Sequence, residues 1–118
     1  MSIKTMNPEI REKWLAALES GEYKQCQGSL KTNDGFCCLG VLCDLHAKET
    51  GKEWKIGPFK KMEKMEYLNE ANYLPIEVQN WADMDSYNHH LYNNGFLSHI
   101  NDSGASFNQI ADIIESEF

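Results

Sequence analysis

Four cysteines, Cys26, Cys37, Cys38 and Cys43, fall within one short stretch and are the first candidates for chemistry. A working thiolate needs a nearby base and electropositive surroundings, and zinc modules place their cysteines at C-x-x-C spacing. Neither pattern is met. Cys37 and Cys38 are adjacent, His89 and His90 are adjacent, and His46 and His99 stand alone. The thiols are therefore expected to pack as small apolar side chains, with no metal and no cofactor. No P-loop, dinucleotide glycine motif, Ser-His-Asp order or paired-carboxylate spacing occurs, so catalysis is not expected.

Two polar stretches are better suited to holding a ligand than to transforming one. The first carries Tyr23, Gln25, Gly28, Lys31 and Phe36, in which Lys31 and Lys24 offer charge and Tyr23 or Phe36 a ring to stack on a base. The second carries Asn101, Asp102, Ser103, Gly104 and Ser106 at the mouth of a helix, where free backbone amides suit a phosphate. Asn and Asp side chains there could read a base edge or a ribose hydroxyl. The same loop also reads as an ordinary turn followed by a helix cap.

Charge narrows the partners. The 118 residues hold 11 Lys and Arg against 18 Asp and Glu, a net charge of −7. Duplex DNA or RNA binders rely on phosphate neutralisation, so a dedicated one is disfavoured. All the bases lie at or before Lys64, and residues 65–118 contain nine acids and no base. An anion must then be held by the first half, or by backbone amides in the second. Arg11 is the single arginine, so bidentate phosphate clamps are scarce. No apolar run approaches the roughly 20 residues of a membrane span, and Met1–Met6 has no leader-like stretch. A soluble, cytosolic protein is expected.

The elements that must position these residues follow from periodicity and punctuation. Asn7 as cap and Pro8 at the first position open a helix that runs to about Ser20, with Ile10, Trp14, Leu15 and Leu18 on its inner stripe. A short strand is expected within residues 22–32, then a tight turn at Asn33-Asp34-Gly35. Phe36 to Leu45 is the most apolar segment and predicts a buried helix to about Lys48. Gly40 within it costs up to about 1 kcal/mol relative to Ala unless something packs closely there. Residues 52–65 read as loop or edge strand and as a candidate flap. Residues 74–81 give a short helix with Val78 and Trp81 inward. Residues 85–95 are irregular, and 96–100 fit either strand or helical turn. Ser106 and Gln109 form a capping box before the last helix, whose stripe is Phe107, Ile110, Ala111, Ile114 and Phe118. The expectation is one α+β domain over residues 1–118, with residues 1–6 flexible and three main helices around a small antiparallel sheet. Its core should include Trp14, Leu18, Leu39, Leu42, Val78, Trp81, Ile110 and Ile114.

Tyr23-x-Gln25-x-x-Gly28-x-Leu30-Lys31, the run Phe36 to Leu45, Leu74-Pro75-x-x-Val78-x-x-Trp81-Ala82, and the stretch from Leu97 through Asn101-Asp102 and Ser106-Phe107 to Glu115 together carry a resemblance. Over about residues 8–116 the chain resembles a widespread family of small tailed-phage and prophage proteins. It differs in having Cys26 where that pattern has Gly and Lys31 where it has Arg, which weakens a four-cysteine metal site and a bidentate anion clamp. The resemblance implies an accessory, anti-defence protein in a host cytoplasm. Its expected action is to sequester a small nucleotide immune signal, such as a cyclic oligonucleotide, without turnover. The alternative is an acidic module that docks on a host protein and blocks it. A chain this short that encloses a nucleotide often does so between subunits, so a homo-oligomer is expected.

Overall fold

In the computed structural model of the chain, residues 6–27, 29–56, 65–68, 70, 74–83 and 100–117 are described. Helix α1 (Pro8–Glu19) starts where the sequence predicts, because the Asn7 side chain accepts the backbone N–H groups of Glu9 and Ile10 at 2.9 and 3.2 Å. Ile10, Trp14, Leu15 and Leu18 form its buried stripe. Helix α2 (Cys38–Thr50) begins two residues later than the apolar run, since Phe36 pairs in a strand and Cys37 serves as the cap. It ends at Gly51, whose φ of 81° closes the last turn in the left-handed region. Helix α3 (Ile76–Trp81) is short, and helix α4 (Phe107–Glu117) is opened by the expected box. There Ser106 N–H donates to Gln109 Oε1 at 2.9 Å and Gln109 N–H to Ser106 Oγ at 3.2 Å.

Four two-residue strands complete the fold: β1 (Lys31–Thr32), β2 (Gly35–Phe36), β3 (Lys55–Ile56) and β4 (Met65–Glu66). They form one antiparallel sheet in the order β2-β1-β4-β3, with Lys31 opposite Phe36 and Met65, and Lys55 opposite Glu66. The chain is thus α+β, with three principal helices and a small antiparallel sheet. The strand expected within residues 22–32 shrinks to its last two residues; upstream, Gln25 makes a single bridge to Phe36. Residues 52–65 supply the edge strand β3, while 57–64, like 84–99, lie outside the described residues.

The core joins α1, α2, α3 and α4. Trp14 has no exposed surface, and its Nε1 donates to the Cys38 carbonyl at 2.9 Å, fixing α1 against the start of α2. Leu18, Leu39, Leu42, Val78, Ile110 and Ile114 are buried as expected. Trp81 is a correction: it is half-buried and lays its ring edge-on to His46, 5.0 Å between centroids. Met6 is another. Expected in a flexible start, it packs into the core, because Asn7 N–H donates to the Ala82 carbonyl at 2.8 Å and ties the chain there to the end of α3. The glycine within α2 has the close neighbour its cost requires, since a Cβ at Gly40 would overlap the Leu30 carbonyl oxygen. Among the described residues no helix is long and apolar enough to cross a membrane.

Candidate ligand-binding face

The structure places nine of the ten sequence-selected residues, in three settings: a buried clasp, an exposed turn and an aromatic face. Gly28 lies outside the described residues. Gln25 and Asn101, 76 positions apart, are brought together, but the Asn101 amide and Gln25 Nε2 are spent on the protein itself. Asn101 has no exposed surface. Its Oδ1 accepts Gln25 Nε2 at 2.9 Å and the Cys38 backbone N–H at 3.2 Å, and its Nδ2 donates to the Cys26 carbonyl at 2.8 Å. Gln25 Nε2 also donates to the Ala105 carbonyl at 2.7 Å, and Gln27 Nε2 to the Asn101 carbonyl at 3.2 Å. Asn101 thereby caps the amide at the start of α2 and pins the segment before β1 to the loop before α4. This is a structural clasp: every polar atom of the Asn101 side chain has an internal partner, as burial demands.

The rest of that loop is exposed. Asp102 accepts from Asn101 Nδ2 at 3.4 Å, Ser103 N–H donates to the Ile100 carbonyl at 3.2 Å, and Gly104 takes a φ of 106°. With Ser106 engaged in its box, the loop is built as a turn that closes residues 100–102, which are helical, and leads into α4.

Tyr23, Lys31 and Phe36 converge elsewhere, at the end of the sheet beside α2. The Tyr23 and Phe36 rings meet edge-on at 5.0 Å, and Phe36 meets Trp54 at 5.9 Å. The Lys31 ammonium sits 4.7 Å from the Phe36 centroid and 5.3 Å from that of Trp54, in range for cation–π attraction to both. All four side chains are half-buried, so each keeps some surface in water. Antiparallel pairing explains the placement, because Lys31 and Phe36 are direct cross-strand partners on one side of the sheet. Trp54 was missed at the sequence level. A lone tryptophan in a lysine-rich loop carries no spacing signal, and it joins the face through the pairing of β3 with β4.

Behind the face the ring contacts continue inward. Trp54 packs on Tyr67 at 5.1 Å, and Tyr67 meets His46 at 5.6 Å. The Tyr67 hydroxyl lies 2.5 Å from His46 Nδ1, and Glu77 Oε2 is 3.5 Å from Nε2. The carboxylate favours the proton on Nε2, leaving Nδ1 to accept from the phenol. Burial holds His46 below its ordinary 6.5, with Glu77 and Glu49 opposing and Lys52 assisting, and burial raises the Tyr67 phenol. Tyr67 has no exposed surface, so the pair is a packed internal contact.

Three of the four thiols are part of the core. Cys37, Cys38 and Cys43 are buried and Cys26 is half-buried; all are unpaired as disulfides. Burial pushes Cys37 up to about 12 and Cys38 and Cys43 well above the ordinary thiol value. Cys37 Sγ accepts the Gly40 N–H at 3.4 Å, so that thiol serves as a helix cap. Among the described residues no group of three or more His, Cys, Asp or Glu is placed to hold a metal ion.

No curated protein and no solved structure matches the chain. Residues 6–118 match the family described as Domain of unknown function (DUF8296), a span that includes the aromatic face, the clasp and all the described core, and the chain belongs to that family.

Proposed function

We propose that this protein is a binding protein that captures a small nucleotide signal, such as a cyclic oligonucleotide, on the face formed by Tyr23, Lys31, Phe36 and Trp54, and releases it unchanged. The observation that carries the reading is Lys31. Its ammonium lies over two rings at 4.7 and 5.3 Å, placing a cation and stacking surfaces at one half-buried spot of an otherwise acidic chain. A base needs a ring face and a phosphate needs a nearby cation. Buried, high-pKa thiols and a histidine closed in the core support holding over turnover. The resemblance to small phage proteins supports an anti-defence role in a host cytoplasm, with enclosure of the ligand completed between copies of the chain.

Calorimetry against cyclic di- and trinucleotides and ADP-ribose derivatives tests this. At least one should bind at micromolar affinity or tighter and be recovered intact. Lys31→Ala should weaken it by about 1–3 kcal/mol through a lost charged hydrogen bond. Sedimentation with and without that ligand reads the oligomeric state. Silence across the panel, with a host protein co-purifying, would replace this reading by docking through the acidic half.

A further inference from the structure

Asp44, in the apolar run of α2, gathers three donors behind the aromatic face. The Tyr23 hydroxyl donates to its Oδ2 at 2.6 Å, and Trp54 Nε1 donates to Oδ1 at 3.2 Å. Lys48, one turn further along α2, places Nζ 3.5 Å from Oδ2 and also donates to the Tyr23 hydroxyl at 3.1 Å. Two rings of the face thus hang from the two oxygens of one carboxylate, and both rings touch Phe36. The Asp44 side chain is 15% exposed and Lys48 is 66% exposed, so the acid is the enclosed partner and the lysine the solvent-facing one. Among the described residues Lys31 has no carboxylate within ion-pair distance, whereas Lys48 has Asp44.

We infer that Asp44 is a positioning and specificity-determining residue of this face, holding Tyr23 and Trp54 against Phe36 and cancelling Lys48 so that the site selects phosphodiester ligands over polyphosphates. The inference rests on the nucleotide-binding reading above. With Lys48 compensated, Lys31 is the uncompensated ammonium among the described side chains that touch these rings. A phosphodiester brings one charge per phosphate, which that ammonium matches. A triphosphate brings several, and the Asp44 carboxylate meets the excess as a like charge in a site where such juxtaposition is costly. Burial first, and then the bond to Asp44, raise the Tyr23 phenol above its ordinary value, consistent with a hydroxyl held as a donor.

The test compares cyclic di-AMP with ATP, two probes sharing the adenine ring, on wild type and Asp44→Asn. Wild type should prefer cyclic di-AMP. In Asp44→Asn the loosened rings should lower cyclic di-AMP affinity about tenfold while ATP binding holds or rises, because Lys48 is freed. Equal losses for both probes would reduce Asp44 to a structural residue and overturn the inference. If wild type binds neither probe, the selectivity is overturned, while the nucleotide reading stands or falls with the wider panel above. Asp44's hold on the rings is then judged by phenol titration at 295 nm, with Tyr23→Phe identifying the Tyr23 step. That step should move down in Asp44→Asn; an unmoved one removes the positioning role as well. Should Asp44→Asn not fold, Tyr23→Phe frees one ring while keeping its stacking surface. It should weaken cyclic di-AMP about threefold with the thermal midpoint unchanged, and full retention would overturn the inference.

Discussion

Gly40→Ala sets two physical effects of opposite sign against each other. Alanine is favoured over glycine in a helix interior by about 0.8–1.0 kcal/mol, so propensity alone predicts a more stable protein. Packing predicts the reverse. The new methyl group would overlap the Leu30 carbonyl oxygen and lie 2.7 Å from its carbon. That carbonyl is held in place, since it accepts the Cys37 N–H at 3.0 Å and its own side chain has no exposed surface. Forcing extra volume into a packed site costs about 1–3 kcal/mol, and a contact with fixed backbone belongs at the upper end. Net of the propensity gain, Gly40→Ala should destabilise by about 2 kcal/mol. For a domain of this size that lowers the thermal midpoint by about 6–12 °C. Urea unfolding followed by far-ultraviolet circular dichroism gives the free energy directly, with an unchanged slope showing that the denatured state is unaffected. A midpoint equal to or above wild type would refute the close approach of Leu30 and α2.

Asn101→Ala should cost about 2–5 kcal/mol, because the Cys38 N–H and the Cys26 carbonyl lose their buried partner; a urea midpoint within error of wild type would show the clasp to be dispensable. Because the fold favours neutral His46, whose value is held below 6.5, its contribution to stability is complete above about pH 6.5 and is lost as pH falls below 6.5 through the folded value. Urea midpoints at pH 7.5 and 5.5 should therefore differ more in wild type than in His46→Gln, and equal slopes would remove His46 as the cause. In native protein at pH 8, a thiol reagent should react first with Cys26 and slowly or not at all with Cys37, Cys38 and Cys43, while all four should react after denaturation. A fast second thiol would show that the core around α2 opens readily.

The helices were legible because their signal is local. Ile10, Trp14, Leu15 and Leu18 mark one face of α1 by spacing, and Phe107, Ile110, Ala111 and Ile114 do the same for α4. The strands were not, since a two-residue strand is too short to show alternation and exists through its partners. Of the ligand face, Tyr23, Lys31 and Phe36 could be chosen by residue type and short separation. Trp54 and Asp44 could not, because hydrogen bonds across 10 and 21 positions bind them to the face and nothing in their own neighbourhood announces it. Asn101 was singled out as a donor for a ligand; which partner its amide finds depends on a chain segment 63–76 residues away.

The meeting of α1 with α4 also bears on synthesis. Arg11 Nη2 donates to the Glu115 carbonyl across 104 positions, and the Asn101 clasp spans most of the same interval. During translation the apolar stripe of Trp14, Leu15 and Leu18 therefore leaves the ribosome long before Ile110 and Ile114 exist to cover it. At about 5–20 residues per second, that interval lasts roughly 5–20 seconds, during which α1 and α2 share an incomplete core. Contacts of such sequence separation form late and slow the folding of a small domain. Nascent chains stalled before residue 101 should consequently be open to proteases and chaperones, and full protection should arrive with the final helix.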